Sequence, residues 1–145
     1  MGGSTQMKHQ RTKLSLQIRH PTRDLSTVCS ALGLRPANLW KVGDERRTPK
    51  GNKIGGLRTD SHCSVDLGPT TRRPLSKQME AALELLKPHR RMLRRLSSTR
   101  GRIGFFAGWF CDEHTGATFD YQILEGMADL RIALDLNLYV PDKRE

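Results

Sequence analysis

The stretch GRIGFFAGWFCDEHTGATFDYQILEGMADLRIALDLNLYV, residues 101–140, decides the fold. In its opening segment Ile103, Phe105, Ala107 and Trp109 point one way, and Gly104, Phe106, Gly108 and Phe110 the other. A segment that is apolar on both faces reads as a central strand. The period then changes. Ile123, Leu124, Met127 and Ala128 recur at helical spacing, with Asp120 placed to cap the helix. The closing IALDLNLYV alternates strictly, with Ile132, Leu134, Leu136, Leu138 and Val140 inward and Asp135 and Asn137 outward. Pro141 ends it. Strand, helix and strand follow within one passage, and the single-striped helix needs a sheet face to cover.

Outward from there, the same rules organise the rest. KLSLQIRH (13–20) alternates, with Leu14, Leu16, Ile18 and His20 on one face. In RDLSTVCSALGL, Leu25, Val28, Cys29 and Leu32 form a helical stripe. Asp24 or Thr22 is its N-cap, and Gly33 its left-handed stop with Leu34 folded back over the last turn. NLWKVGD reads as a short strand, ERRTPKGNKIGGLRTD as a loop or long hairpin connection, and SHCSVDL as another strand. Ser76 is placed to cap a helix with Met79, Ala82, Leu83 and Leu86 inward. Pro88 kinks or restarts it, and Met92, Leu93 and Leu96 continue the apolar side.

The order β-α-β-β-α-β-α-β predicts an α+β, two-layer sandwich. Its antiparallel or mixed five-stranded sheet carries helices on one face, with a ferredoxin-like βαββαβ core and a C-terminal αβ extension. Residues 1–12 read as a disordered leader or expression remnant, 13–141 as one domain and 142–145 as a charged tail.

Residue usage narrows the function classes. The charged fraction of 28% and the absence of any long apolar run exclude a helical membrane protein. A net charge of +10 draws the chain toward anions. Cys29, Cys63 and Cys111 are odd in number and widely spaced. With no secretory signal before them, they predict no disulfide framework and a reducing, cytoplasmic setting. Cys29, on the buried side of its helix, is read as an inert core thiol.

The pieces LSLQIRHPTRDLSTVCSALGLRP, VGDERRTPKGNKIGG and GRIGFFAGWFCDEHTGATFDYQILEGMADLRIALDLNLYV together resemble the bacterial family known as domain of unknown function 4279. The resemblance covers about residues 14 to 140. Its most specific parts are the Leu-Gly after the first helix, Gly43-Asp44 before a basic Pro/Gly loop, the Gly108-Trp109-Phe110 strand end, the Thr115-Gly116 turn and the closing strand. Members of the family often carry a tryptophan in the third strand, and SHCSVDL has none. The resemblance implies one small α+β domain and brings no activity, substrate, cofactor or catalytic residue.

Two sets of residues are candidates for function. The first is the loop Trp109, Cys111, Asp112, Glu113, His114 and Thr115. Cys111 and His114 are weak metal candidates, since a zinc site needs three or four ligands and only His62-Cys63 is available to complete it. Asp112 and Glu113 are adjacent, so on an extended chain they point apart rather than converge for acid–base work. The bland reading is a polar connection after a buried strand. Of Trp109 and Phe110, alternation sends one to the core and the other to the open face.

The second set is basic. Arg90, Arg91, Arg94 and Arg95 form one face of a helix opposite Leu93 and Leu96, and Arg46, Arg47, Lys50 and Lys53 lie in the glycine-rich loop. That loop, KGNKIGG, lacks the phosphate-cradling spacing of a P-loop. Arginines fork onto phosphates or carboxylates. The aromatics that would favour single-strand binding are missing, since no Phe, Tyr or Trp lies between Trp40 and Phe105. The expectation is therefore a cytoplasmic, non-enzymatic binding module without cofactor or membrane association. It presents a basic surface to an acidic protein partner in an immunity-like or adaptor role. Nucleic acid is the alternative partner, and an enzyme with a site at the Trp109–His114 loop the third reading.

Overall fold

The computed structural model describes residues 10–111 and 115–140. Strand β1 runs Arg11–His20, and Thr12, Leu14, Leu16, Ile18 and His20 are buried along one face, as strict alternation requires. Helix α1 follows at Ser26–Leu32 and buries Val28, Cys29 and Leu32. Its stop is a Schellman turn: Gly33 adopts φ 70°, its N–H donates to Ser30 O, and Leu34 N–H reaches back to Cys29 O. Next come β2 (Asn38–Trp40), β3 (Glu45–Arg47), β4 (Lys53–Leu57) and β5 (Ser61–Asp66). Helix α2 (Leu75–Leu86), a 3₁₀ turn over Lys87–His89 and helix α3 (Arg90–Ser98) form one kinked rod, with Pro88 at the bend where its missing N–H costs nothing. Strand β6 (Arg102–Phe110), helix α4 (Tyr121–Asp129) and strand β7 (Ile132–Tyr139) complete the described elements.

The fold is α+β. A five-stranded mixed sheet has the order β2-β5-β1-β6-β7. Its neighbours are antiparallel except β6 and β7, which are parallel and joined across α4. Strands β3 and β4 form a separate two-stranded hairpin, so of the two alternatives for the basic Pro/Gly stretch the hairpin is the one found. One face of the sheet and the helices share a single core. Phe105, Leu14, Leu16, Ile18, Leu25, Met79, Leu86, Leu93 and Leu96 are its largest fully buried side chains. Each large aliphatic or aromatic side chain so buried contributes about 1.5–3 kcal/mol. Among the described residues no helix is long and apolar enough to cross a membrane.

Several local expectations are corrected. Helix α2 starts at Leu75 after Pro74, so Ser76 lies inside the helix and is not its cap. Asp120 stands at the α4 N-cap but makes no side-chain cap bond. The N-cap of α1 is Leu25, without a side-chain cap bond; Asp24, one residue earlier, accepts the Ser26 N–H on Oδ1 at 2.9 Å in a turn leading into the helix. The stripe of α4 is narrower than the spacing implied: Ile123 and Met127 are buried, while Leu124 is 51% exposed. On β7 only Ile132 is buried, and Leu136, Leu138 and Val140 lie open. The cause is geometric. A helix advances about 1.5 Å per residue and a strand about 3.3 Å, so a short helix covers only the near half of a neighbouring strand. Cys29 on α1 and Cys63 on β5 meet side by side in the core, with Cα atoms 7.5 Å apart, wider than a disulfide spans without backbone movement. Cys111 is also buried.

Candidate functional site

The arginines of α3 do not form one surface. Arg90 Nε donates to Asp129 Oδ2 at 2.7 Å, and Arg94 Nη1 donates to Oδ1 at 3.0 Å and to the Asp129 carbonyl at 3.2 Å. Asp129 is the last residue of α4, so the two arginines fasten α3 to that helix end. The hydrogen bond from Arg90 holds the Asp129 carboxyl below its usual range, with the charges of Arg90, Arg94 and Arg131 adding to it. Arg91 and Arg95 stand one residue further on, about 100° around the helix, and so face a different flank. With Arg23, Pro88, His89 and Met92 they line a cleft of about 280 Å³. The four-arginine face expected from spacing is therefore divided into a structural pair and a cleft-lining pair.

The second basic set sits on the β3–β4 hairpin, every strand residue of which is exposed. Glu45 holds Arg47 at 3.0 Å and Lys53 at 3.5 Å, while Arg47 also donates to Gly51 O at 2.8 Å. The tip is closed by Thr48 and Asn52, with Gly51 at φ 93° where a side chain would be strained. Lys50 lies in this tip. Beside these charges, Ile54 is 50% and Leu57 60% exposed. The hairpin is thus an arm carrying both cations and bare apolar side chains.

At the base of the arm lies a cluster that sequence reasoning missed. The guanidinium of Arg58 sits 3.7 Å over the Trp40 ring, and His62 stacks on the same indole, with ring centroids 4.4 Å apart at 22°. Burial pushes the His62 imidazole below its ordinary pKa, helped by Arg19 and Arg58 and opposed by Asp60. Register places Trp40, His62, Arg19 and Arg102 side by side across four strands. Alternation did signal that His62 faces away from Cys63. The pairing of β2 with β5, which brings Trp40 over it, has no local signature.

The other candidate loop is only partly in view. Asp112, Glu113 and His114 lie outside the described residues. Cys111 is buried, and Thr115 is half-buried. Trp109 belongs to the core at 6% exposure, whereas Phe110 is on the open face, stacked on Tyr139 with centroids 4.8 Å apart. A cleft of about 330 Å³ runs past Trp109, Thr12, Arg72, Arg73 and Gly116. Thr12 is occupied there by Gln78, whose Nε2 donates to its hydroxyl. His62 and Cys63 cannot both join Cys111 at one metal, because neighbouring residues of a strand point to opposite faces. Among the described residues no three His, Cys, Asp or Glu side chains gather as metal ligands.

The profile described as "Domain of unknown function (DUF4279)" matches residues 10–141, nearly the whole chain, and the chain belongs to that family. No curated protein and no solved structure matches it.

Proposed function

We propose that this DUF4279 member is a non-enzymatic binding module that docks an acidic protein partner through its β3–β4 arm, in an immunity-like or adaptor role. One observation carries the reading. Arg46, Arg47, Lys50 and Lys53 share the arm with exposed Ile54 and Leu57. Interfaces between proteins combine a bare apolar centre with arginines around it. A phosphate backbone has no use for the apolar part. Trp40 is already stacked with Arg58 and His62, which argues against its serving as the stacking platform that single-stranded nucleic acid uses. The order β2-β5-β1-β6 with antiparallel neighbours supports reading these four strands as a ferredoxin-like core, with α4 and β7 as its extension.

The test compares immobilised wild type with the Arg46→Glu, Arg47→Glu, Lys50→Glu, Lys53→Glu variant in lysate of the source organism at moderate salt. The expected result is an acidic protein retained by wild type, lost on the variant, and lost also on Ile54→Ser, Leu57→Ser. Retention that vanishes after nuclease treatment would move the assignment to nucleic acid. Identical retention on all three baits would refute the arm as the docking element.

A further inference from the structure

We infer that the cleft between α3 and the turn after β1 is a binding site for a phosphoryl dianion, separate from the arm. Arg23, Arg91 and Arg95 line it together with His89, and the lining contains no carboxylate. Among the described residues none of these three guanidinium groups is paired with an acidic side chain. Elsewhere on the same helix Arg90 and Arg94 share the Asp129 carboxylate, whereas among the described residues the arginines of this cleft have no acidic partner.

The number of donors points to the ligand. Each guanidinium is a planar fork that engages two acceptor oxygens. A carboxylate offers two oxygens and one negative charge, which saturates one fork. A phosphoryl group offers three terminal oxygens and about two charges, which suits three forks. Pro88 and Met92 give the cleft an apolar wall against which the group bearing the phosphate can rest.

The two sides of the cleft are held in register from beneath. His20, buried at 4% exposure, accepts the backbone N–H groups of Thr22 and Arg23 on Nδ1 at 3.1 and 2.9 Å. Backbone N–H groups only donate, so Nδ1 carries no proton and Nε2–H donates to Thr99 Oγ1 at 2.9 Å. The Thr99 hydroxyl donates in turn to Arg95 O at 3.1 Å. One imidazole and one hydroxyl therefore tie the backbone at Arg23 to the backbone at Arg95. Such preorganisation reduces the ordering cost of binding.

The experiment is isothermal titration of the full chain with sodium pyrophosphate at constant ionic strength. In parallel, a serine peptide is titrated in phosphorylated and unphosphorylated forms. Wild type is expected to bind pyrophosphate or the phosphopeptide saturably at about millimolar concentration or tighter. Arg91→Gln, Arg95→Gln should weaken this at least tenfold. Arg46→Gln, Arg47→Gln, which removes the same charge from the arm, should change it less than twofold. Arg91→Lys, Arg95→Lys, which keeps the charge and loses the forks, should fall between. Tighter binding of the phosphopeptide than of pyrophosphate assigns the group to a modified protein, and the reverse order to a free phosphorylated molecule. Absence of saturation with both probes, or equal losses in the arm and α3 variants, overturns the inference. Because the arm variant is measured alongside, failure here leaves the arm's docking role standing, and failure of that role leaves this site standing.

Discussion

Replacing Gly101 by alanine should unsettle the corner that sets α3 against the sheet, whereas the same change at Gly104, on the next strand, should not. A Cβ at Gly101 would lie 2.5 Å from the Leu96 carbonyl oxygen, 3.0 Å from its carbon and 3.2 Å from His20 Cδ2. Non-bonded heavy atoms are comfortable at about 3.5 Å, so helix end and strand start must part by roughly 1 Å. Two of the obstructing atoms are backbone, and that carbonyl also accepts the Gly101 N–H at 2.7 Å. Overpacking of this kind costs about 1–3 kcal/mol. The weakened hydrogen bond adds about 1 kcal/mol. The expected loss is therefore about 2–4 kcal/mol, which for a domain of this size lowers Tm by about 5–15 °C. At Gly104 the nearest obstacle is Ala133 O at 3.6 Å, an ordinary contact, and φ is not positive. Alanine there should be neutral or stabilise by up to about 1 kcal/mol through the unfolded chain. Urea denaturation followed by circular dichroism compares the two variants directly. A Gly101→Ala midpoint equal to wild type would show that α3 does not enter β6 by this tight turn, and would remove the basis for placing Arg95 beside Arg23.

Two further outcomes are expected. Burial, with Arg23 adding to it, lowers the His20 pKa, and His62 is lowered chiefly by burial. Both therefore contribute stability that is complete above the unfolded value of about 6.5 and is lost as pH falls from there toward the depressed folded values. His20→Asn keeps an acceptor near the Nδ1 position but does not titrate, so its urea midpoint should drop less between about pH 7.5 and pH 5.5 than that of wild type; parallel profiles would contradict the assignment. Because the Cα atoms of Cys29 and Cys63 stand 7.5 Å apart, wider than a disulfide spans, three thiols per chain should react in denaturant without reductant. One reacting without reductant and three with it would show the core pair to be linked.

What could be read from residue order was mostly what depends on period. The alternation of Ile103, Phe105, Ala107 and Trp109 gives a strand with those side chains buried, and Met79, Ala82, Leu83 and Leu86 all reach the core from α2. Gly33 marks a helix stop because only a left-handed residue closes that turn cheaply. What failed depended on distance through space. Leu136 and Leu138 follow the inward pattern, yet whether a helix covers them is decided by relative element lengths. Arg90 and Arg94 are paired with Asp129, whose position at the end of α4 no helical wheel of α3 could reveal. The stack of Arg58, Trp40 and His62, and the meeting of Cys29 with Cys63, are likewise products of strand order. The candidate sites inherit this division: the basic residues could be named in advance, but their sorting into clamp, arm and cleft could not.

The first strand among the described residues is the middle strand of the sheet, and Leu16 pairs with Val65 on one side and with Phe105 on the other. During synthesis this strand leaves the ribosome long before either neighbour exists. It cannot be satisfied by a local hairpin, and its second edge stays bare until Arg102–Phe110 has emerged. Pairings this far apart along the chain slow folding and prolong exposure of apolar edges. A nascent chain stalled before Arg102 is thus a natural client for chaperones, and the order in which the sheet is written makes its completion a late, all-or-nothing event.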